Sequence, residues 1–274
     1  WLSRARPPRV EPLAPARERE LRRLARQTWR FFEDFVGPVD NWLPPDNFQE
    51  EPKGELAHRT SPTNMGLLLL STLAAHDFGY LTATLLRERL EQTLASMAAL
   101  DRFHGHFYNW YETQTRAVLP PAYISTVDSG NLAGHLLALK QGLLELGDQP
   151  IVDGRRLAGL QDSLDLLRLA LAGLPTSPAA GAAAKAAGIA EALAGLLSPL
   201  PDTLPAWLTR LQALADTAQL LGPLLTAPSA SQDTLLDEAR AWALRVVAEI
   251  EAQQSELAAL VPWAALLDGV PQLL

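Results

Sequence analysis

The chain has 274 residues and no cysteine, which excludes disulfide frameworks, thiolate metal centres and cysteine nucleophiles. Isoleucine is scarce, aromatic residues make up only 7%, and leucine and alanine dominate. Strands draw on β-branched and aromatic side chains, so this balance points to helices. Basic charge is also short: the net charge is −8 and the pI about 5.2. A duplex-binding protein needs a basic face to neutralise phosphates, so nucleic acid is not an expected partner. The arginines between Arg17 and Arg30 alternate with glutamates, the pattern of a solvated helix face. The longest apolar stretches, such as Met65–Leu70 with Leu73–Ala75, are too short and interrupted to cross a bilayer, and no signal peptide is evident. There is no Gly-x-Ser-x-Gly elbow and no glycine-rich phosphate loop. The first residue is Trp1 rather than methionine, as expected of an excised piece of a longer protein.

What is present is a chain that is 48% apolar, enough for one large domain or two small ones. Residues 1–15 hold four prolines and no apolar period and read as a linker. From Ala16 to about Val36, Leu21, Leu24, Ala25, Thr28, Trp29, Phe32 and Phe35 keep the spacing of one buried helix face until Gly37 and Pro38 stop it. Asp40–Phe48 is rich in proline and turn-formers and reads as an ordered loop. Thr60 or Ser61 can cap a helix with Pro62 in its first position, running to about Phe78. Thr82 or Thr84 starts another, to about Leu100. Residues 101–127 leave room for at most one short β-hairpin, and Asp128-Ser129-Gly130-Asn131 then caps a helix to about Leu146. After Gly147 the chain reads as four Leu/Ala-rich helices, over 152–173, 178–198, 204–222 and 231–260, with breaks at Pro175, Pro199, Pro201, Pro223 and Pro228. The stretch Ala179–Ala187 fits a helix or a flexible run. A short tail with Trp263 ends the chain. The expectation is all-α, built of antiparallel helical hairpins, with the organisation 1–15, 16–146 and 147–274.

Three segments look chemical, and all lie in loops or at helix starts of the first half: 58–64, 103–113 and 123–135. Sugar sites need flat aromatic faces and hydroxyl-binding amides and carboxylates. Trp110 and Tyr111 supply the first, and Asn109 and Glu112 the second; filling of a core by the same aromatics is the alternative. Asp128 and Asn131 combine helix capping with possible ligand contact, because a helix start points spare N–H groups outward. His104 and His106 flank a glycine, but a zinc site needs three or four protein ligands, so no metal or other cofactor is expected. His135 reads as a packing residue. A carboxylate pair for glycoside hydrolysis would come from Glu50, Glu51, Glu55, Glu112 and Asp128.

Four ordered blocks carry a family resemblance: Asp40-Asn41-Trp42-Leu43-Pro44-Pro45-Asp46-Asn47, His58-Arg59-Thr60-Ser61-Pro62-Thr63-Asn64-Met65-Gly66, Phe107-Tyr108-Asn109-Trp110-Tyr111, and Tyr123-Ile124-Ser125-Thr126-Val127-Asp128-Ser129-Gly130-Asn131-Leu132-Ala133-Gly134. Over roughly residues 16–146 the chain resembles the front part of the central, glycoamylase-like domain of bacterial cyclic β-1,2-glucan synthases. The resemblance implies part of an (α/α) toroid that closes a β-1,2-glucan by transglycosylation. It implies a very large inner-membrane parent, with this segment soluble on the cytoplasmic side. Asn109, Trp110, Tyr111, Glu112, Asp128, Asn131, Asn64 and Trp42 are the sugar-binding residues it marks. Family members commonly carry aspartate where this chain has Glu112. The catalytic glutamates are expected in a second helical half with no counterpart here, so the chain alone is expected to be inactive on glucan. Its partners would be a β-1,2-glucan oligosaccharide and the remaining domains of the parent. Apolar helix faces left uncovered could instead join copies into an oligomer. A small stand-alone (α/α) glycoside hydrolase and a non-enzymatic helical scaffold are the competing readings.

Overall fold

Side-chain caps set where most of the helices begin. In a computed structural model of the chain, residues 12–174, 180–226 and 234–263 are described. Helix α1 (Pro15–Phe35) opens on a proline. Ser61 caps α2 (Pro62–Asp77), its Oγ accepting from Asn64 N at 3.2 Å. Thr82 caps α3 (Ala83–Ala98) through Leu85 N. Ser125 caps α4 (Thr126–Leu146) through Asp128 N at 3.1 Å. Each cap satisfies one of the backbone donors that a helix start leaves without a partner. Asp153 and Thr203 do the same for α5 (Gly154–Ala172) and α7 (Leu204–Gln219). The remaining helices are α6 (Ala180–Gly195), the short α8 (Gly222–Thr226) and the long α9 (Thr234–Leu260).

The architecture is all-α, with consecutive helices such as α2 and α3, α5 and α6, and α6 and α7 packed on one another. The strand content departs from the sequence reading. Three two-residue pairs form, where one hairpin at most was expected: β1 (Phe48–Gln49) with β2 (Glu55–Leu56), β3 (Arg59–Thr60) with β6 (Tyr111–Glu112), and β4 (Arg102–Phe103) with β5 (His106–Phe107). The β4–β5 turn is His104-Gly105, both with positive φ, the geometry of a tight primed hairpin turn. The expected linker, 1–15, lies mostly outside the described residues, and Pro15 already belongs to α1. The breaks at Pro175 and Pro228 and the tail beyond Trp263 also lie outside them. Ala180–Ala187 is helical.

Buried apolar side chains gather in three clusters. The largest runs from Leu157 to Val261 and is built by α5, α6, α7, α8 and α9. A second, with Leu43, Met65, Leu86, Tyr111 and Leu139, joins α2, α3, α4 and the loops. A small third, with Trp29, Ala75, Tyr80 and Leu81, lies where α1 crosses the end of α2. Among the exposed apolar side chains outside them are Val127, Leu137 and Leu144 of α4, which are 70%, 71% and 61% exposed.

A backbone contact locks the α2–α3 turn onto α5. Gly79 has φ +86, and a Cβ on Gly159 would lie 2.3 Å from the Gly79 carbonyl oxygen. The obstacle is main chain and cannot rotate away. Gly159→Ala is therefore expected to destabilise the fold by about 1–3 kcal/mol, read from urea unfolding. A change near zero would mean that this contact is looser than described.

Candidate functional site

The loop at Asp40–Trp42 is held by strained backbone and by buried polar bonds. Asn41 and Trp42 have φ 51 and 58. The Asp40 carboxylate is buried, accepts from the Thr113 hydroxyl and lies 2.7 Å from His58 Nδ1. The Asn41 amide donates to the carbonyls of Thr113 (2.8 Å) and Gln114 (2.7 Å). The β3–β6 pair sets Arg59 opposite Glu112 and Thr60 opposite Tyr111, and Thr113 N donates to the His58 carbonyl at 3.0 Å. Segments at 40–42, 58–60 and 111–114 thus form one unit.

Asp46 extends this unit to α2. Its Oδ2 accepts two bonds from Arg59, at 3.1 and 2.8 Å, and its Oδ1 accepts from the Asn64 amide at 3.1 Å. Two donors in a fork on one carboxylate oxygen fix the Arg59 plane, which then lies 5.0 Å above the Trp110 ring. Asn109, almost fully buried, joins the ring to α4. With its amide nitrogen donating to Asp128 Oδ2 (3.0 Å), its oxygen accepts from Trp110 Nε1 and from the Tyr123 hydroxyl, each at 2.7 Å. At the edge of the cluster the Asn131 amide donates to Thr63 Oγ1 at 3.1 Å.

Burial by itself would raise the Asp128 carboxyl, but hydrogen bonds from Ser125 and Thr63 outweigh it and hold the group below the usual carboxylate range. Glu112 behaves alike. Slight burial pushes it up, and the Thr115 hydroxyl and N–H, each 2.6 Å from Oε2, bring it down. Both carboxylates are therefore ionised near neutrality. Ionised oxygens accept hydrogen bonds from hydroxyls, but they cannot serve as the general acid that glycosidic cleavage requires.

Of the eight residues singled out from sequence, Asn64, Asn109, Trp110, Glu112, Asp128 and Asn131 belong to this connected cluster. Tyr111 calls for a correction. It is 0% exposed, and its hydroxyl donates to the Asp101 carbonyl and accepts from Tyr108 N, each at 2.7 Å. Its ring fills the core and offers no face to a ligand. The Trp42 ring packs against Arg89, whose guanidinium lies between it and Trp29. Asp46, Arg59, Thr63 and Tyr123 complete the cluster; the last three lie in the segments 58–64 and 123–135 marked from sequence, but none was named among the eight sugar-binding residues. The short polar residues of the 40–48 loop were the one signal for Asp46. His135 packs against Gly66, where a Cβ would lie 2.1 Å from its ring. Among the described residues no three His, Asp or Glu side chains gather as metal ligands, and no helix is long and apolar enough to cross a membrane.

A helical frame thus presents an aromatic, amide and carboxylate cluster on its loops. The relative found by sequence is more specific. The chain is 47% identical over 158 residues, 57% of its length, to the cyclic beta-(1,2)-glucan synthase NdvB of Rhizobium meliloti (strain 1021), of which it spans 6%. No family model matches. A solved structure of a glucoamylase candidate from Bacteroides fragilis overlaps 68% of this chain and 37% of its own, with 19% identity and a TM-score of 0.34. That overlap is too slight to carry an argument.

Proposed function

We propose that this chain is part of a cyclic β-1,2-glucan synthase and that its loop cluster holds β-1,2-glucan at a transglycosylation site. The observation that carries the reading is the Asn109 hub. One buried amide ties the Trp110 ring to the Asp128 carboxylate, so a flat apolar surface and an ionised acceptor keep a fixed spacing. That is what a sugar ring, apolar on its face and hydroxylated at its edge, requires of a binding site. The similarity to a protein named as such a synthase supports the choice of β-1,2-glucan over other glycans.

On this reading residues 16–146 supply the sugar-facing loops, 147–274 continue the helical frame, and both form part of an (α/α) toroid. The exposed apolar face of α4 is assigned to contact with the remainder of the parent. In the parent the segment lies on the cytoplasmic side of the inner membrane. The chain binds glucan without turning it over, because Asp128 and Glu112 are held ionised and the catalytic acid comes from elsewhere in the parent.

Isothermal titration with a linear β-1,2-gluco-oligosaccharide tests this. The chain is expected to bind it saturably, and Trp110→Ala and Asp128→Asn are each expected to weaken binding about tenfold, the equivalent of one lost hydrogen bond or stacking contact. Absence of binding by the unaltered chain, or variants that bind as well as it does, would remove the loop cluster as the glucan site. Release of a cyclic or shortened product by the chain alone would refute the division of labour.

A further inference from the structure

A second polar site lies away from the loop cluster, where the ends of α2, α4 and α9 meet the start of α5. It is a cavity of about 160 Å³, whereas one water needs only about 10–15 Å³ on this measure. Its apolar walls include Leu81, Leu146 and Ile151, and its polar lining has the pair Asp153 and Arg155 beside His76, Gln149 and Arg156. Each of those three side chains has a buried atom with no hydrogen-bond partner in the protein: His76 Nδ1, Gln149 Oε1 and Arg156 Nη1. Three such atoms around one cavity are not incidental, because a buried polar atom without a partner costs about 1–3 kcal/mol.

The partners those atoms need define the ligand. Arg156 Nη1 requires an acceptor, whereas the Gln149 amide, in the orientation that turns Oε1 inward, requires a donor. A fully ionised anion satisfies the first and repels the second. A hydroxyl group satisfies both, since it donates and accepts. Charge points the same way. Arg156 is paired with Glu256, and Arg155 with Asp153 at 2.6 Å, so the wall carries no uncompensated cation to attract an anion. His76 Nδ1 is 3.7 Å from Asp77 Oδ1, beyond hydrogen-bond reach. Burial, helped by Arg155 and Arg156 and opposed by Asp77, holds His76 below its ordinary value, which keeps the ring neutral at pH 7. A neutral imidazole accepts from a hydroxyl or donates to one according to its tautomer. The rest of the guanidinium is fixed, with Nε and Nη2 donating to the Ile151 carbonyl at 3.1 and 2.7 Å. Nη1 is therefore presented in a set direction.

We infer that this cavity binds a small neutral polyol of monosaccharide size, with Arg156, Gln149 and His76 reading its hydroxyls and the aliphatic wall covering its ring. The site stands whether or not the loop cluster holds glucan, and the two are tested by different signals.

The test is an NMR titration of the whole chain with D-glucose and, separately, with sodium sulfate. Glucose is expected to shift the Gln149 side-chain amide and the Arg156 Nε–H saturably, and sulfate is expected to leave both in place. Gln149→Leu, checked for an unchanged thermal melt, is expected to weaken glucose binding about tenfold, as the loss of one buried hydrogen bond would. Saturable shifts with sulfate and none with glucose would make this an anion site and overturn the inference. So would no shift with either, which would mean a cavity that holds water only. Shifts confined to the Trp110 indole and the Asn109 amide would place the sugar at the loop cluster and likewise overturn it. The titration of the unaltered chain decides between these outcomes even if the variant fails to fold.

Discussion

Arg26→Met is expected to remove about 3–5 kcal/mol of stability, because among the described residues it withdraws the only cation paired with Glu249 and leaves buried carboxylates behind. Arg26 is completely buried on α1. Its Nε donates to Ser163 on α5 at 2.8 Å, and its Nη1 and Nη2 donate to Glu33 at 2.9 and 3.2 Å. Nη2 also donates to Glu249 on α9 at 2.8 Å. The guanidinium lies 5.2 Å from the Tyr80 ring centroid and 5.1 Å from that of Trp242, so aromatic faces flank it as well. Three helices thus meet on one side chain. Methionine fills much of the same volume without the charge, so the loss measures electrostatics more than a cavity. Glu33 keeps Arg245, at 3.1 Å. Glu249 keeps the Ser163 hydroxyl, 2.7 Å from its Oε1, and without Arg26 its already raised carboxyl is driven further toward the protonated form. Arg17→Met, on the same helix but exposed and paired only with Glu20, should change stability by no more than about 0.5 kcal/mol. Urea unfolding followed by circular dichroism and by tryptophan fluorescence measures both. An Arg26 variant that loses less than about 1 kcal/mol would show that the network is looser than its geometry implies.

The same arginine shows where sequence reading reached its limit. Periodicity placed Leu21, Leu24, Trp29 and Phe32 on one buried face of α1 and assigned the arginines of that helix to solvent, but Leu21 and Leu24 are 46% and 53% exposed whereas Trp29 and Arg26 are buried. Arg22, Arg26 and Glu33 are instead spaced so as to share the Trp29 side of the helix, where the third apolar cluster and the middle turns of α5 and α9 receive them. An alternating run of arginine and glutamate looks identical whether water or a second helix faces it, and only tertiary contact distinguishes the two. Helix starts were easier, because a cap is local. Ser61 and Thr82 were readable as such. The start of α4 was placed late, at Asp128, because Ser125 lies in a β-branched run, Ile124 to Val127, that imitates a strand. Strand pairing was the least readable feature. β3 and β6 are two residues each and far apart in sequence, too short for alternation to register. That pairing and the buried Asn109 amide bring the site segments together. The site was therefore legible as residue types but not as a geometry, and Tyr111, an aromatic like its neighbour Trp110, gave no sign that it would be the one turned inward.

Glu249→Gln is expected to be more stable than the unaltered chain above neutrality, by on the order of 3 kcal/mol, with the gain disappearing toward about pH 5. Burial pushes the Glu249 carboxyl up from 4.5 to about 7, with Glu33 adding to the rise and Arg26 opposing it. Its Oε2 finds no partner in the protein, so ionisation places charge on an oxygen that nothing solvates. The folded state consequently holds this proton more tightly than the unfolded chain does. The stability it contributes is complete below the ordinary carboxylate value and is lost as pH rises through about 7. Glutamine keeps the shape and an oxygen that can accept from Arg26 and Ser163, and it has no proton to lose. Other groups titrate on their own accounts. Asp162 is raised by burial and loses stability in the same direction, whereas Glu33 and Glu238 are lowered against their burial by their arginine partners, and Glu256 by the Thr84 N–H and then Arg156, and all three act at more acid pH. Burial also lowers His76. Apart from Glu33, which shares Arg26 with Glu249, these contributions are common to both proteins, so the difference between their stability curves reports Glu249 and its coupling to Glu33. Urea midpoints taken in steps from about pH 5 to about pH 8 give that difference, and its slope counts the proton that Glu249 retains on folding. Parallel curves across that range would mean that Glu249 is already ionised in the folded state near pH 5. Arg26 would then be serving two full carboxylate charges, and the loss in Arg26→Met should lie at the upper end of its range.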